Sequence, residues 1–274
     1  MCVGVGGFHE PRNIGGLAHF CEHMLFMGSE KYPDENQFTS FCAKHSGSDN
    51  AHTDNHVTVY AFDISPSKFV DALDMWAQFF IAPLMKVDSV EREMEAVDSE
   101  YNNFKASDDS RKCQIVTECL MKRDHPMANF MLGNLKSLKD DLPPSTSAYD
   151  ELHKWYPQNY SSNWMNLVVQ SPHSLDELER IVRDKFVHVP HRGIPRPTNE
   201  PDYSVRGYLD NISSLIRYVP LSEQIEIDVV FTLPPQREKY DVKAMHYLGW
   251  LIGHEGQERG LILSVSALMN LYMI

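Results

Sequence analysis

The chain has 274 residues and a net charge of −13, long enough for one large or two ordinary domains, each with a real hydrophobic core. The acidic balance argues against nucleic acid and against an anionic membrane surface, both of which attract Lys and Arg patches, and it favours positively charged substrates. Five cysteines (Cys2, Cys21, Cys42, Cys113, Cys119) without a C-x-x-C pair read as reduced thiols of the cytoplasm or a similar compartment, with no disulfide framework.

Residues 2 to 6 alternate as a strand does, and the segment has neither the basic start nor the long apolar core of a signal peptide. A loop of Gly, Pro and Asn leads into a helix beginning near Asn13. That helix carries His19-Phe20-Cys21-Glu22-His23, an H-x-x-E-H string of the inverzincin type. One helical turn separates His19 from His23, so both rings project from the same face and can converge on one ion. Glu22 beside them suits a general base acting on a water bound to zinc, and not a ligand. Such a string arises by chance in roughly 4 of 100 chains of this composition, so the motif alone does not decide the matter. The flanking residues Leu17, Ala18, Phe20, Cys21, Met24, Leu25, Phe26 and Met27 bury the helix on nearly all sides, and buried imidazoles and carboxylates require strong partners.

Gly28 and Ser29 end this helix, and Pro33-Asp34 open another with Phe38, Phe41 and Cys42 on one face, closed by Gly47. Residues 51–54 and 56–64 read as strands. Ser65-Pro66 starts a core helix with the stripe Phe69, Ala72, Leu73, Trp76 and Phe80. In the helix at about 88–105 the stripe is Val90, Glu93, Met94, Val97, Glu100, Tyr101 and Phe104, which sets two glutamates two turns apart where apolar residues belong. For an average acidic helix these are simply solvated. Next to a buried H-x-x-E-H, either one is a candidate for the third zinc ligand.

A helix at 110–123 precedes an irregular stretch, Asp124 to Pro144. Ser145 caps a helix that ends at Trp155-Tyr156 before Pro157, residues 164–170 make a strand, and Ser174 caps a helix running to about Val187. Pro190, Pro195, Pro197 and Pro201 mark a linker, and strands at about 214–220 and 225–232 with a helix around Ala244 to Ile252 begin a second unit of the same kind. The apolar tail, Leu261 to Ile274, has 14 residues interrupted by Ser264, Ser266 and Asn270, short of the roughly 20 that cross a bilayer. The pattern specifies an α+β fold, a mixed β-sheet packed by helices. Its domains are 1–190, a Pro-rich linker at 191–203, and an incomplete second domain at 204–274 with a divergent tail from 257.

Several blocks, in order, resemble the pitrilysin-type zinc endopeptidases: Gly16 to Gly28, Lys31-Tyr32-Pro33-Asp34-Glu35-Asn36, Gly47-Ser48-Asp49-Asn50-Ala51, Ala96-Val97-Asp98-Ser99-Glu100 and Tyr160-Ser161-Ser162-Asn163. The resemblance implies one zinc ion held by His19, His23 and Glu100, with Glu22 as catalytic base. It also implies that Glu93 supports the ligands from outside, and that Asn50 and Ala51 lie on an edge strand to which a peptide substrate adds its backbone. His52 and His56 read as substrate-facing or surface residues. The implied function is zinc-dependent cleavage of oligopeptides. The family is a clamshell of two halves, of which this sequence matches the first domain without its opening strands and the start of the second. The alternative is a truncated, catalytically incompetent family fragment acting as a peptide- or partner-binding module, the expected partner being one that supplies the second half.

Overall fold

The computed structural model describes residues 1–195, 209–210, 214–223, 226–228 and 241–253. The chain forms two compact units, one of Met1–Lys105 with Asn129–Asn199, the other of Ala106–Ala128 with the described residues beyond 200. In the first unit a four-stranded sheet has the order β2-β3-β1-β4, where β1 is Cys2–Val3, β2 Ser48–Thr53, β3 Thr58–Asp63 and β4 Met165–Asn166. Each of its pairings is antiparallel, with Thr53 opposite Thr58 and Ala51 opposite Tyr60 along the β2–β3 hairpin. The helices of this unit are α1 Leu17–Leu25, α2 Gln37–Lys44, α3 Phe69–Ile81, α4 Val90–Lys105, α6 Ala148–Asn159 and α7 Leu175–Phe186, while α5, Asp108–Leu120, belongs to the second unit. This is the α+β organisation read from the sequence, except that the sheet is antiparallel throughout the described residues where a mixed one is expected: β2 and β3 form a hairpin, and β1 and β4 pair antiparallel with their neighbours.

The core follows from the apolar stripes. α1 and α2 lie on β2, α4 and α6 pack on α1, and α7 packs on α3. Between them is an aromatic cluster in which Trp76 and Phe80 meet edge to face with ring centres 5.4 Å apart, Phe62 lies 5.1 Å from Trp76, and Phe26 and Phe38 flank Phe79 at 5.0 and 5.3 Å. Such geometry adds to the area burial that drives the packing. Tyr60 and Tyr160 are fully buried and satisfy one another through a 2.9 Å hydroxyl–hydroxyl hydrogen bond.

Several boundaries differ from the periodicity. The first strand stops at Val3 because its backbone then bonds outside the regular ladder: Gly4 N–H donates to Trp164 C=O at 2.7 Å, and Gly7 and Phe8 donate to Asp54 and Asn55 at the turn of the β2–β3 hairpin. Gly6 permits that approach, since a Cβ there would stand 2.0 Å from the Asp54 carbonyl oxygen. α1 begins at Leu17 and not near Asn13 because Gly16 takes a left-handed φ of 88°. The strand expected at 164–170 pairs over Met165–Asn166 alone. Ser147, not Ser145, caps α6, its side chain accepting from Asp150 N–H, and the helix runs through Pro157 to Asn159. Proline removes one N–H and so one bond to the preceding turn, a loss the last turn of a helix tolerates. Lys136–Asp140, in the stretch read as irregular, forms a π-helical turn.

The second unit contains α5, Asp108–Leu120, a short turn at Pro126–Ala128 and α8, Ala244–Gly253. The Asp108 carboxylate accepts from the backbone N–H groups of Leu221 and Ser222 at 2.9 and 3.0 Å, and those hydrogen bonds hold its pKa down at about 2. Residues 214–220, read as a strand, have no strand partner among the described residues, and most of the strand expected at 225–232 lies outside them. No helix among the described residues is long and apolar enough to cross a membrane. All five cysteines are free thiols.

Asp74 on α3 clamps three segments of the first unit, taking Lys31 Nζ at 2.6 Å, Lys185 Nζ of α7 at 3.2 Å, and the Tyr32 hydroxyl. Burial opposes its charge, and these hydrogen bonds outweigh burial to bring its pKa from 3.8 down to about 2. A depressed folded-state pKa means that the clamp stabilises fully above 3.8 and is lost as pH falls from there to about 2. Urea unfolding over that window should show a loss of about 1 kcal/mol after discounting for solvent screening, absent in Asp74→Asn.

Candidate metal centre

The H-x-x-E-H helix is held by groups outside it. No side chain caps α1 from its own N-cap position. Instead Glu10, buried in the preceding loop, accepts from Gly16 N–H at 2.9 Å and Ala18 N–H at 2.7 Å, satisfying two of the helix's unpaired donors. Burial pushes the Glu10 pKa up to about 8 against these two bonds. Gly16 and Gly133 meet backbone to backbone, and a Cβ at Gly16 would lie 2.2 Å from Gly133 Cα. The loop bearing Gly133 is fixed on both sides: Asp98 of α4 accepts from Leu135 N–H at 3.0 Å, and Ser137 Oγ donates to Gly15 C=O at 2.8 Å.

That loop brings the Leu132 carbonyl to 2.6 Å from His19 Nδ1. The matching nitrogen of His23, Nδ1, sits 3.1 Å from Glu93 Oε2 on α4. Each ring thus has a partner on one nitrogen and turns the other, Nε2, inward. Both Nε2 atoms face Glu100, His19 at 3.3 Å from Oε2 and His23 at 3.4 Å from Oε1. Among the described residues, His19, His23 and Glu100 are the group whose ligand atoms lie close enough to hold a metal ion, all within 4.8 Å of one another.

The donor set fits zinc. Two imidazoles and a carboxylate are its usual catalytic ligands, and a tetrahedral ion with bonds of about 2.05 Å places its ligand atoms about 3.3 Å apart. The charges are consistent with a cation position. Hydrogen bonds from the two imidazoles hold Glu100 far below the carboxylate range. Burial opposes a charge on His23, yet Glu100 and Glu93 outweigh it and lift its pKa to about 9. Two carboxylates around these rings thus call for positive charge at the point where the rings meet.

Glu22 is buried beside this group and accepts a hydrogen bond from Thr53, the last residue of β2, whose Oγ1 lies 2.5 Å from Glu22 Oε2. Burial raises the Glu22 pKa, offset in part by that bond. Asn50 and Ala51 lie on β2, the end strand of the sheet, and with Asp49, His52 and Thr53 they line an open cleft of about 650 Å³ that also contains His19, Glu22, His23, Glu93 and Glu100. His52 is exposed in that cleft, and His56 packs edge-on against Phe8 with ring centres 4.8 Å apart.

The structure therefore brings together every residue that the sequence singles out for the site. Sequence reasoning missed Glu10, Leu132 and Thr53. Leu132 acts through its backbone and leaves no side-chain signal. For Thr53 the signal was the alternation Asp49, Ala51, Thr53 along β2, which turns these three inward.

Residues 1–131 match the family model described as insulinase (peptidase family M16), and residues 147–270 match that of the peptidase M16 inactive domain. Nardilysin of Homo sapiens is 45% identical over 271 residues, which cover 96% of this chain and 23% of that protein. Insulin-degrading enzyme of Drosophila melanogaster is 40% identical over 268 residues, covering 96% of this chain and 26% of that protein. The crystal structure of pitrilysin superposes with a TM-score of 0.69 at 32% identity, covering 73% of this chain and 21% of that one. This chain spans about a quarter of the length of the curated relatives it matches. With two models of one family in tandem and a fold shared with pitrilysin, the chain belongs to the insulinase family of peptidases, family M16.

Proposed function

We propose that this chain carries the metal centre of a zinc-dependent endopeptidase that hydrolyses oligopeptides. The observation behind the reading is the convergence of His19 Nε2, His23 Nε2 and the Glu100 carboxylate, with each ring's other nitrogen already engaged. His19, His23 and Glu100 would hold the ion, and Glu93 would orient His23 from outside. A zinc ion bound there lowers the pKa of a coordinated water from about 15.7 towards about 7 and polarises a peptide carbonyl.

Glu22 accepts the proton of the attacking water on its carboxylate and later delivers it to the nitrogen of the leaving amine. The backbone of Asn50 and Ala51 receives the substrate as an added strand, since β2 has no strand on its outer side among the described residues. The cleft favours basic peptides: Glu22, Asp49, Glu93 and Glu100 line it, and no Lys or Arg does among the described residues. The reading places the protein in a reducing compartment such as the cytoplasm, with peptides as its partners and a second chain or segment completing the chamber. It divides the sequence into a metallopeptidase domain at 1–190, a linker at 191–203 and the start of a second domain at 204–274.

Three measurements test this. Glu22→Gln should retain one zinc per chain and lose chelator-sensitive cleavage of a quenched peptide; an active, zinc-loaded Gln variant would sink the assignment. Glu93→Gln should weaken zinc binding roughly 10- to 100-fold, read by competition with a chelator. Limited proteolysis should cut within 191–203 before any other segment, and first cleavage inside 1–190 would refute the division.

A further inference from the structure

Thr53 stands where the edge strand meets the catalytic helix. As the last residue of β2 it shares the inward face with Asp49 and Ala51, and its Oγ1 lies 2.5 Å from Glu22 Oε2. Opposite it in the hairpin is Thr58, whose Oγ1 is 3.4 Å away. Thr58 is fully buried and donates its one hydroxyl proton to the Val5 carbonyl oxygen at 2.9 Å. A hydroxyl has a single proton to give, so Thr58 has none left for Thr53. Of the two acceptors in reach of the Thr53 proton, Thr58 Oγ1 at 3.4 Å and Glu22 Oε2 at 2.5 Å, the carboxylate is the nearer and the charged one. The direction of this hydrogen bond is set by the carboxylate, which can only accept.

We infer that Thr53 is a positioning residue for the general base: its hydroxyl holds Glu22 Oε2 and leaves Oε1 as the oxygen that exchanges protons. The inference rests on the zinc peptidase reading above. A glutamate's last torsion is broad and nearly two-fold, so an untethered carboxylate rotates and presents its oxygens in turn. With Oε2 held, the proton passes from water to Oε1 and from Oε1 to the amine nitrogen of the cleaved peptide. Water and peptide become acid and amine, and the carboxylate is regenerated. Thr53 itself neither gains nor loses a proton. Because it also belongs to the strand bearing Asn50 and Ala51, it fixes the base relative to the backbone that would receive the substrate.

The test uses the zinc-loaded 274-residue chain with Thr53→Val, which keeps the shape and removes the hydroxyl, and Thr53→Ser, which keeps the hydroxyl. Zinc per chain is measured by elemental analysis. Binding of a peptide hydroxamate, whose acidic O–H hands its proton to the base, is measured by calorimetry, and kcat and KM are measured on a quenched peptide where the chain cleaves. Thr53→Val should keep its zinc and bind the hydroxamate about tenfold more weakly, the scale of a hydrogen bond to a charged group, with kcat reduced about as much at unchanged KM. Thr53→Ser should remain within about twofold of the parent in each readout. The inference is overturned if Thr53→Val binds the hydroxamate as the parent does, if the Ser variant falls as far as the Val variant, or if the Val variant loses zinc. A parent chain that binds neither zinc nor hydroxamate overturns the zinc reading, and the role of Thr53 falls with it.

Discussion

Two imidazoles one helical turn apart on a largely buried helix impose the constraint on which this structure turns: each ring nitrogen needs a hydrogen-bonding partner where little water reaches it. His19 and His23 meet it asymmetrically. Their Nδ1 atoms go outward to Leu132 C=O and Glu93, and their Nε2 atoms go inward to one carboxylate. An unpaired buried polar group costs as much as a lost hydrogen bond or more. Much of the surrounding chain can be understood as supplying those partners. α4 carries Glu93, Glu100 and also Asp98, which fixes the loop that presents Leu132. One helix thus furnishes an inner carboxylate, an outer carboxylate and the anchor of the backbone acceptor.

The same constraint explains why two glycines face one another behind the helix. The loop must bring a carbonyl to His19 while passing over the N-terminus of α1. Only backbones without Cβ atoms come as close as Gly16 and Gly133 do, and both adopt positive φ, 88° and 79°. A helix that starts on a left-handed glycine has no side-chain cap of its own. Glu10 provides one from six and eight residues upstream, so the register of α1, and with it the direction of both imidazoles, is fixed from outside.

The parts of this arrangement legible in the sequence are those carried by side-chain periodicity. The i, i+4 histidines, the stripe that places Glu93 and Glu100 on one face of α4, and the aromatic stripe of α3 all follow from a 3.6-residue repeat. Strand ends were less legible, because they depend on what the backbone bonds to: residues 167–170 keep the composition of a strand yet lack its ladder, and α6 runs past Pro157 where the local rule stops it. The choice between Glu93 and Glu100 was not legible from the stripe, which offers both two turns apart. In three dimensions they separate, since Glu93 meets the outward nitrogen of one ring and Glu100 the inward nitrogens of both.

This separation also sets the charge balance of the cleft. Were Glu93 and Glu100 both directed at the Nε2 atoms, two carboxylates would compete for one position, and Glu22 beside them would feel the repulsion of both. Placed as they are, Glu93 meets His23 at Nδ1, behind the ring, where its charge favours the protonated imidazole. Glu100 alone faces the convergence point, and its charge raises the pKa of Glu22 less than burial does. Thr53 works in the opposite sense by donating to Glu22. The Glu22 carboxylate is therefore held between a buried setting that resists its charge and a hydroxyl that favours it, the hydroxyl lying on a strand with no outer neighbour among the described residues. Under the proposed function, a peptide backbone added along that edge would be tied in register, through Thr53, to the Glu22 carboxylate proposed to act at its scissile bond.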